Sequence, residues 1–312
     1  MSIEFAGLSL KNPVVVAAGS WSSNQENIQK CIDNGAAMVI TPTICSEPTP
    51  AVNPEVFYKE NEVYSLSLYS HYAIEDWEDE LEKVEKKDSY VFCSIRGTTV
   101  SEIVFLAKQV ERIGADGIQL NLFAPMDISL EKSILQTEEK LKNTVKQVVK
   151  AVHIPVMVRV PHYIASNVNY VKALNDSGAM AISGIDSIRG LYGVDIEKAC
   201  AIPDAVAGYT GSHIKPISLA ATATLSQLTN MDISSVGGIR NGRDILEFIM
   251  LGASTVQLGS VILEKGHAYI GQVIEEISYW MQERGYSSYS EIKGKALNTL
   301  LTFEKMAKKV GR

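Results

Sequence analysis

Cysteine is scarce in this chain and scattered: Cys31, Cys45, Cys93 and Cys200 stand too far apart for any C-x-x-C pair. That removes the ligand spacing of structural zinc and iron–sulfur sites. Each thiol reads as a small core residue, with Cys45 alone given a path to a site. Long apolar runs are missing too. None approaches the roughly 18 residues that span a bilayer, and the opening MSIEFAGLSLKN has no basic-then-apolar secretory pattern. The chain is expected to be cytoplasmic and off the membrane. Positive charge is in deficit, with 29 Lys+Arg against 36 Asp+Glu for a net charge of −7. A nucleic-acid binder would need clustered cations to replace phosphate counterions, so that class is set aside.

What is present is an ordinary globular balance, 46% hydrophobic and 21% charged, which excludes wholesale disorder. Short apolar runs rich in Val and Ile recur at 13–18, 37–41, 90–95, 117–122, 155–160, 180–184, 232–236 and 255–259. Runs that are apolar throughout suit strands buried on both faces of a parallel sheet. Amphipathic stretches lie between them. Residues 102–113 put Ile103, Leu106, Val110 and Ile113 on one face, and 270–281 do so with Ile270, Val273, Ile274, Ile277 and Met281. Asn24, Ser101 and Asn241 are the expected N-caps. Eight β-then-α units in succession predict a (β/α)8 TIM barrel, an α/β fold, over residues 1–312 as a single domain. Residues 3–12, with a turn near Gly7, predict a short N-terminal β-hairpin plugging the barrel bottom.

Two stretches break the alternation. Residues 45–72 carry Pro48, Pro50 and Pro54 and then YSLSLYSHY, and residues 124–137 follow the fourth strand. Insertions after barrel strands fall on the C-terminal rim, where these folds build their sites. The strongest chemical signal is Val236-Gly237-Gly238-Ile239-Arg240-Asn241-Gly242, followed by Gln257-Leu258-Gly259-Ser260. Glycines at the ends of the seventh and eighth strands let backbone N–H groups approach an anion at a helix start, the usual phosphate site of a barrel.

With these loops go Lys11-Asn12-Pro13, Ala17-Ala18-Gly19, GADGIQLN ending at Asn121, IPVMVRV at 154–160, SGIDSIRGL at 183–191 and GYTGSHIKP at 208–216. In order and spacing the chain resembles the dihydroorotate dehydrogenase family of flavin-dependent barrels along nearly its whole length. The resemblance implies FMN at the barrel mouth, its phosphate on Gly237, Gly238, Gly259 and Ser260, with Gly211 against the cofactor. It implies Ala17, Ala18 and Gly19 under the ring edge, Thr43 hydrogen-bonding the cofactor, and Asn121 beside both ring and substrate. It puts Arg159 where the family sets a lysine near the flavin, and a fixed cation there suits a reduced, anionic ring. It also implies a homodimer of the class 1 type and leaves an electron-transfer partner subunit open.

The departures fall on the substrate side. The family's Asn-x-x-Cys/Ser-Pro-Asn run, whose Cys or Ser is the base, is here Asn121-Leu122-Phe123-Ala124-Pro125-Met126, and Ala124 cannot move a proton. Pro42 stands where a lysine is expected, and Asp186 replaces an asparagine that grips the substrate, with Ser187 keeping a hydroxyl. Asp186 would repel a carboxylate at close range. Candidate replacements come from the rewritten loop, with His71 or Tyr69 as catalytic proton donor and Tyr72 against the substrate. His162 and His213 rank behind them, Asp127 and Glu131 are alternative carboxylate bases, and His153 and His267 read as surface residues. Lys215 reads as a cation paired with a barrel carboxylate. No metal site is expected. The function expected is an FMN oxidoreductase acting at a CH–CH or C=C bond of a small substrate other than dihydroorotate. A genuine dihydroorotate dehydrogenase with a displaced base, a non-catalytic flavin-binding protein and a flavin-free barrel remain as alternatives.

Overall fold

Eight short strands pair in parallel and close on themselves in the computed structural model, which describes residues 2–59, 62–67, 69–123 and 137–301. They are β3 (Val14–Val16), β4 (Met38–Ile40), β7 (Tyr90–Ile95), β8 (Gly117–Asn121), β9 (Val156–Val160), β10 (Ala181–Gly184), β15 (Asp232–Val236) and β16 (Thr255–Leu258). All eight sit where the apolar runs predict them. The reason is burial on both faces: Val14, Val15 and Val16 are all inaccessible, as are Met38, Val39 and Ile40. The helices pack outside as α1 (Gln25–Asp33), α2 (Ile74–Glu82), α3 (Val100–Arg112), α4 (Glu138–Ala151), α5 (His162–Ala165), α6 (Val168–Asn175), α7 (Lys215–Leu228), α8 (Gly242–Met250), α9 (Ser260–Lys265) and α10 (Tyr269–Glu283). This is a (β/α)8 TIM barrel.

Helix starts follow capping chemistry. Asn24 accepts from the Asn27 N–H at 2.9 Å, and Asn241 from the Asp244 N–H at 3.0 Å. At α3 the cap is Thr99 rather than the expected Ser101. Its hydroxyl takes the Glu102 N–H at 3.2 Å, which starts the helix two residues earlier. On α10 the predicted face is buried at Ile270, Val273, Ile277 and Met281.

The N-terminal hairpin forms as β1 (Ile3–Phe5) and β2 (Leu8–Leu10), joined by a tight turn at Ala6 and Gly7 with φ of 50° and 79°. Phe5 and Leu10 are inaccessible and join Val15, Met38, Ile40, Phe92 and Met157 in one apolar cluster, so the hairpin stoppers the barrel.

The mouth is roofed by strands that the sequence reading missed. β5 (Val56–Lys59) and β6 (Glu62–Ser65) follow β4; β11 (Ile188–Gly190), β12 (Gly193–Asp195), β13 (Cys200–Ile202) and β14 (Ala207–Gly211) follow β10. β11, β14, β6 and β5 form a four-stranded antiparallel sheet in that order, and β12 pairs with β13. Prolines at 48, 50 and 54 made 45–72 read as loop throughout, whereas Val56–Lys59 pairs with Glu62–Ser65, and the latter finds its other partner in Ala207–Gly211. Cys200 lies exposed on this rim, unlike the buried Cys31 and Cys93, so it is not the core residue expected. Among the described residues, no helix is long and apolar enough to cross a membrane.

Replacing Phe5 by alanine removes an inaccessible ring from the stopper cluster. The expected cost is about 3–5 kcal/mol, read as a lower urea midpoint with near-native far-UV circular dichroism in the folded baseline.

Candidate active site

Closure brings residues from opposite ends of the sequence together. Val16 pairs with Leu258 across β3 and β16, and the Ala17 N–H donates to the Leu258 carbonyl at 2.8 Å. Ala17, Ala18 and Gly19 therefore lie beside Gly259 and Ser260. With Gly237 they line one side of a cleft of about 240 Å³ at the C-terminal mouth. The peptide N–H groups of Gly237, Gly238, Gly259 and Ser260 donate to no group among the described residues. Peptide donors left open at a helix start suit a phosphate, so the loops fit the tail of a phosphorylated flavin.

Glycine at 238 has a different cause from the one expected. Its φ is 81°, and a Cβ there would come within 2.5 Å of the Lys215 nitrogen, so the start of α7 packs directly on the loop. Gly238 itself is not among the cleft-lining residues. Lys215 reaches Asp244 at 2.6 Å and Glu247 at 2.9 Å, the structural cation the sequence suggested.

Trp21, unremarked in the sequence, lines the same side. Its ring carbons would meet a Cβ at Gly19 at 2.4 Å and one at Gly259 at 3.2 Å. The indole Nε1 donates to the Ala17 carbonyl at 2.5 Å, and the Trp21 carbonyl lies 2.9 Å from His267 Nε2. His267 is therefore a half-buried anchor for the Trp21 turn rather than a surface residue.

Opposite this end, four places round the eight-strand ring from β16, stands β8. Asn121 ends β8 and pairs in register with Arg159 on β9, while Asp186 follows β10, so three consecutive strands supply three polar side chains. Asn121 Nδ2 donates to Thr43 Oγ1 at 3.0 Å, and Thr43 shares a hydrogen bond with Ser94 Oγ at 2.9 Å. Asn121 Oδ1 is buried without a partner among the described residues. Arg159 Nη2 and Asp186 Oδ1 form an ion pair, and the same oxygen accepts from the Ser187 N–H at 2.6 Å and hydroxyl at 3.3 Å. The sequence reading took the two charges separately, whereas the fold sets them side by side as partners. Pro42 lines the cleft where a lysine was expected. Ala124, Met126, Asp127 and Glu131 lie outside the described residues.

The rim contributes Tyr69 and His71, both cleft-lining. Arg96, almost wholly buried, sits over the Tyr69 ring at 5.3 Å and reaches the Asn121 carbonyl at 3.4 Å. His71 is a clasp: Nδ1 lies 2.7 Å from the Thr49 carbonyl and Nε2 2.6 Å from Glu55 Oε1. Both partners are acceptors, so the geometry suits the doubly protonated ring. The Thr49 contact and then Glu55 raise the His71 pKa above its ordinary value, against a lowering by burial.

Several expected site residues are elsewhere. Tyr72 packs edge-on against Trp77, 6.0 Å between centroids, and does not line the cleft. Gly211 also stays out of the lining, although Gly208 and Thr210 of the same strand are in it. His162 turns its ring against Tyr163 at 5.5 Å, and His213 is exposed; neither lines the cleft. Burial pushes the Cys45 thiol up to about 12, which leaves no thiolate for chemistry. The cleft residues the sequence reading missed, Glu55, Val56, Val63, Ser65 and Ser67, come from the rim sheet and its flank. The β-branched and aromatic run from Val56 to Tyr64 was the signal that could have found them. No group of metal-ligating side chains occurs among the described residues.

Comparison with known proteins adds an independent line. The family model for dihydroorotate dehydrogenase matches residues 1–281. A relative from Pyrococcus abyssi, called dihydroorotate dehydrogenase B (NAD(+)), catalytic subunit, is 30% identical and aligns over 95% of this chain and 99% of its own length. Its namesake from Pyrococcus furiosus is 31% identical over 95% and 98%, and that from Methanocaldococcus jannaschii 29% over the same shares.

The clasp carries a pH dependence. Because the folded pKa of His71 is raised, the clasp's contribution is fully present below the unfolded histidine value of about 6.5. It fades as pH rises through the folded value. Limited proteolysis of the 45–72 segment is expected to be slow at pH 6 and faster at pH 9. In His71→Gln the fast cleavage should appear at both pH values.

Proposed function

The chain belongs to the dihydroorotate dehydrogenase family of flavin-dependent oxidoreductases acting on CH–CH bonds, and on that premise we propose that it binds FMN in the cleft and interconverts a CH–CH and a C=C bond in a small substrate other than dihydroorotate. One observation carries the reading. The open peptide donors of Gly237, Gly259 and Ser260 face, across the full barrel mouth, the polar group Asn121, Arg159 and Asp186, and a single cleft joins them. That layout suits a ligand with a phosphate at one end and a polar ring at the other.

In this reading Gly237, Gly238, Gly259 and Ser260 hold the phosphate through backbone N–H groups. Ala18, Gly19 and Thr43 pack along the ring, with Asn121 and Arg159 at its polar edge. Gly211 supports this region from outside the lining. FMN, when bound, supplies the two-electron acceptor or donor that exchanges a hydride with one substrate carbon. The neighbouring carbon must give up or take a proton. Ala124 and Pro42 have no group for it, and both His71 nitrogens are engaged with Thr49 and Glu55. We assign the proton to the phenol of Tyr69, which lines the cleft beneath the Arg96 guanidinium. His71 then acts by holding the rim loop shut, while Asp186 and Ser187 meet the substrate.

Electrons leave through a second protein in this reading, a role supported by the relatives' description as the catalytic subunit of an NAD(+)-linked enzyme. A homodimer and a cytoplasmic location complete it, the latter favoured by cysteines that form no disulfide among the described residues. Residues 1–312 are read as one catalytic unit. The near full-length similarity to dihydroorotate dehydrogenases favours a second reading, in which dihydroorotate is the substrate and a rim group replaces the lost base. Anaerobic mixing decides between them: bleaching of the flavin by dihydroorotate within the dead time of a stopped-flow instrument establishes the second.

Two variants test the roles. Tyr69→Phe is expected to slow substrate-linked flavin turnover by about 10²–10⁴-fold while the purified protein keeps its full FMN content. Gly237→Ala is expected to purify with little or no FMN. Its φ is 120°, and the added Cβ would sit 2.2 Å from Ser218 Oγ, so the phosphate loop must move.

A further inference from the structure

The polar end of the cleft carries a particular set of charges and acceptors. Among the described residues, its charged lining consists of Arg159, Asp186, Glu55 and His71. Arg159 is paired with Asp186, and His71 with Glu55. Each of these four lining groups has an oppositely charged partner beside it. Two side-chain acceptors at this end are not used by the described residues. Asn121 Oδ1 is a buried acceptor without a donor, its own amide N–H being spent on Thr43. Asp186, only 4% exposed, directs Oδ1 to Arg159 and Ser187, and its Oδ2 accepts no hydrogen bond among the described residues. Two open acceptors flank the Arg159 strand. A buried acceptor with no donor is costly, so a ligand that supplies donors is favoured over one that adds a further acceptor or an anion.

We infer that the substrate half of the site takes a neutral cyclic amide or imide, whose ring N–H groups donate to Asn121 Oδ1 and Asp186 Oδ2, and that it rejects the same ring bearing a carboxylate. Asp186 is the specificity-determining residue. Its charge strengthens a hydrogen bond from an N–H and, held beside the cleft wall, repels a carboxylate. An asparagine at 186 would do neither. This deepens the function proposed above and rests on it, since the ring must lie over a flavin to react.

The test uses the FMN-loaded enzyme and two probes that share a ring and differ in one carboxylate, uracil and orotate. Binding is read from the shift in the visible flavin spectrum and, independently, by titration calorimetry. Uracil is expected to bind at least about tenfold more tightly than orotate, and 1,3-dimethyluracil, which has lost both N–H donors, to bind more weakly than uracil by a similar factor. In Asp186→Asn, checked by an unchanged FMN content, the preference is expected to narrow or reverse, with orotate gaining and uracil losing affinity. Orotate binding the parent enzyme as tightly as uracil overturns the inference. So does the absence of binding by either probe, or a dimethylated ring that binds as well as uracil. The wild-type comparison stands even if the variant fails to fold. A protein that neither purifies with FMN nor takes it up overturns instead the flavin reading beneath, so the two failures are distinguishable.

Discussion

Closure of the sheet is the constraint on which the site depends. The first and last barrel strands meet only when β3 and β16 register at Val16 and Leu258, joined by the Ala17 N–H to the Leu258 carbonyl. That junction sets the small-residue turn at 17–19 against the glycine turn at 259–260, segments some 240 positions apart in the chain. Parallel pairing puts every strand's C-terminal end on one rim, so the segments that follow β3, β4, β10, β15 and β16 converge on one cleft with the ends of β8 and β9. The hairpin seals the opposite end with Phe5 and Leu10, which leaves the rim as the mouth.

Within that frame the two ends of the cleft follow different rules. At the glycine end the open groups are backbone N–H donors, which need space and a particular path of the main chain, and side-chain identity matters little. At the far end the polar groups are side chains on three adjacent strands, Asn121, Arg159 and Asp186. An aspartate following β10 stands paired with Arg159 there. The relatives' names describe enzymes acting on dihydroorotate, and their similarity covers both ends. The chemistry argued for this chain keeps the oxidoreductase frame they share and differs where Pro42, Ala124 and Asp186 stand.

The rim sheet links these ends to the solvent side. β6 pairs with β14, so the segment after the second barrel strand and the segment after the sixth build one surface. Val63, Ser65, Gly208 and Thr210 reach the cleft from it. Its flank is tied down by His71 between Thr49 and Glu55, an interaction between exposed or half-buried groups that depends on the protonation of one ring. The barrel below rests on buried apolar packing, whereas the rim above is tied by a titratable ring.

Much was legible without coordinates. Period and composition located all eight barrel strands, because a strand buried on both faces must be apolar at every position, and that pattern is local. The hairpin at Gly7 and the caps at Asn24 and Asn241 were legible for the same reason, as were the two glycine turns. Of the side chains named for the site, Ala18, Gly19, Thr43, Tyr69, His71, Asn121, Arg159, Asp186, Ser187, Gly237, Gly259 and Ser260 do meet in one cleft. Only the tertiary structure decided the rest. β6 finds its partner β14 more than a hundred residues away, Trp21 turns onto the glycines, and Tyr72 turns away to Trp77. Whether Arg159 stands alone or beside Asp186, and whether the His71 nitrogens are open or taken, depends on which acceptor stands within three ångströms. A hydrogen bond is a property of positions in space, and residues 27 or 22 apart in sequence carry no local mark of being neighbours.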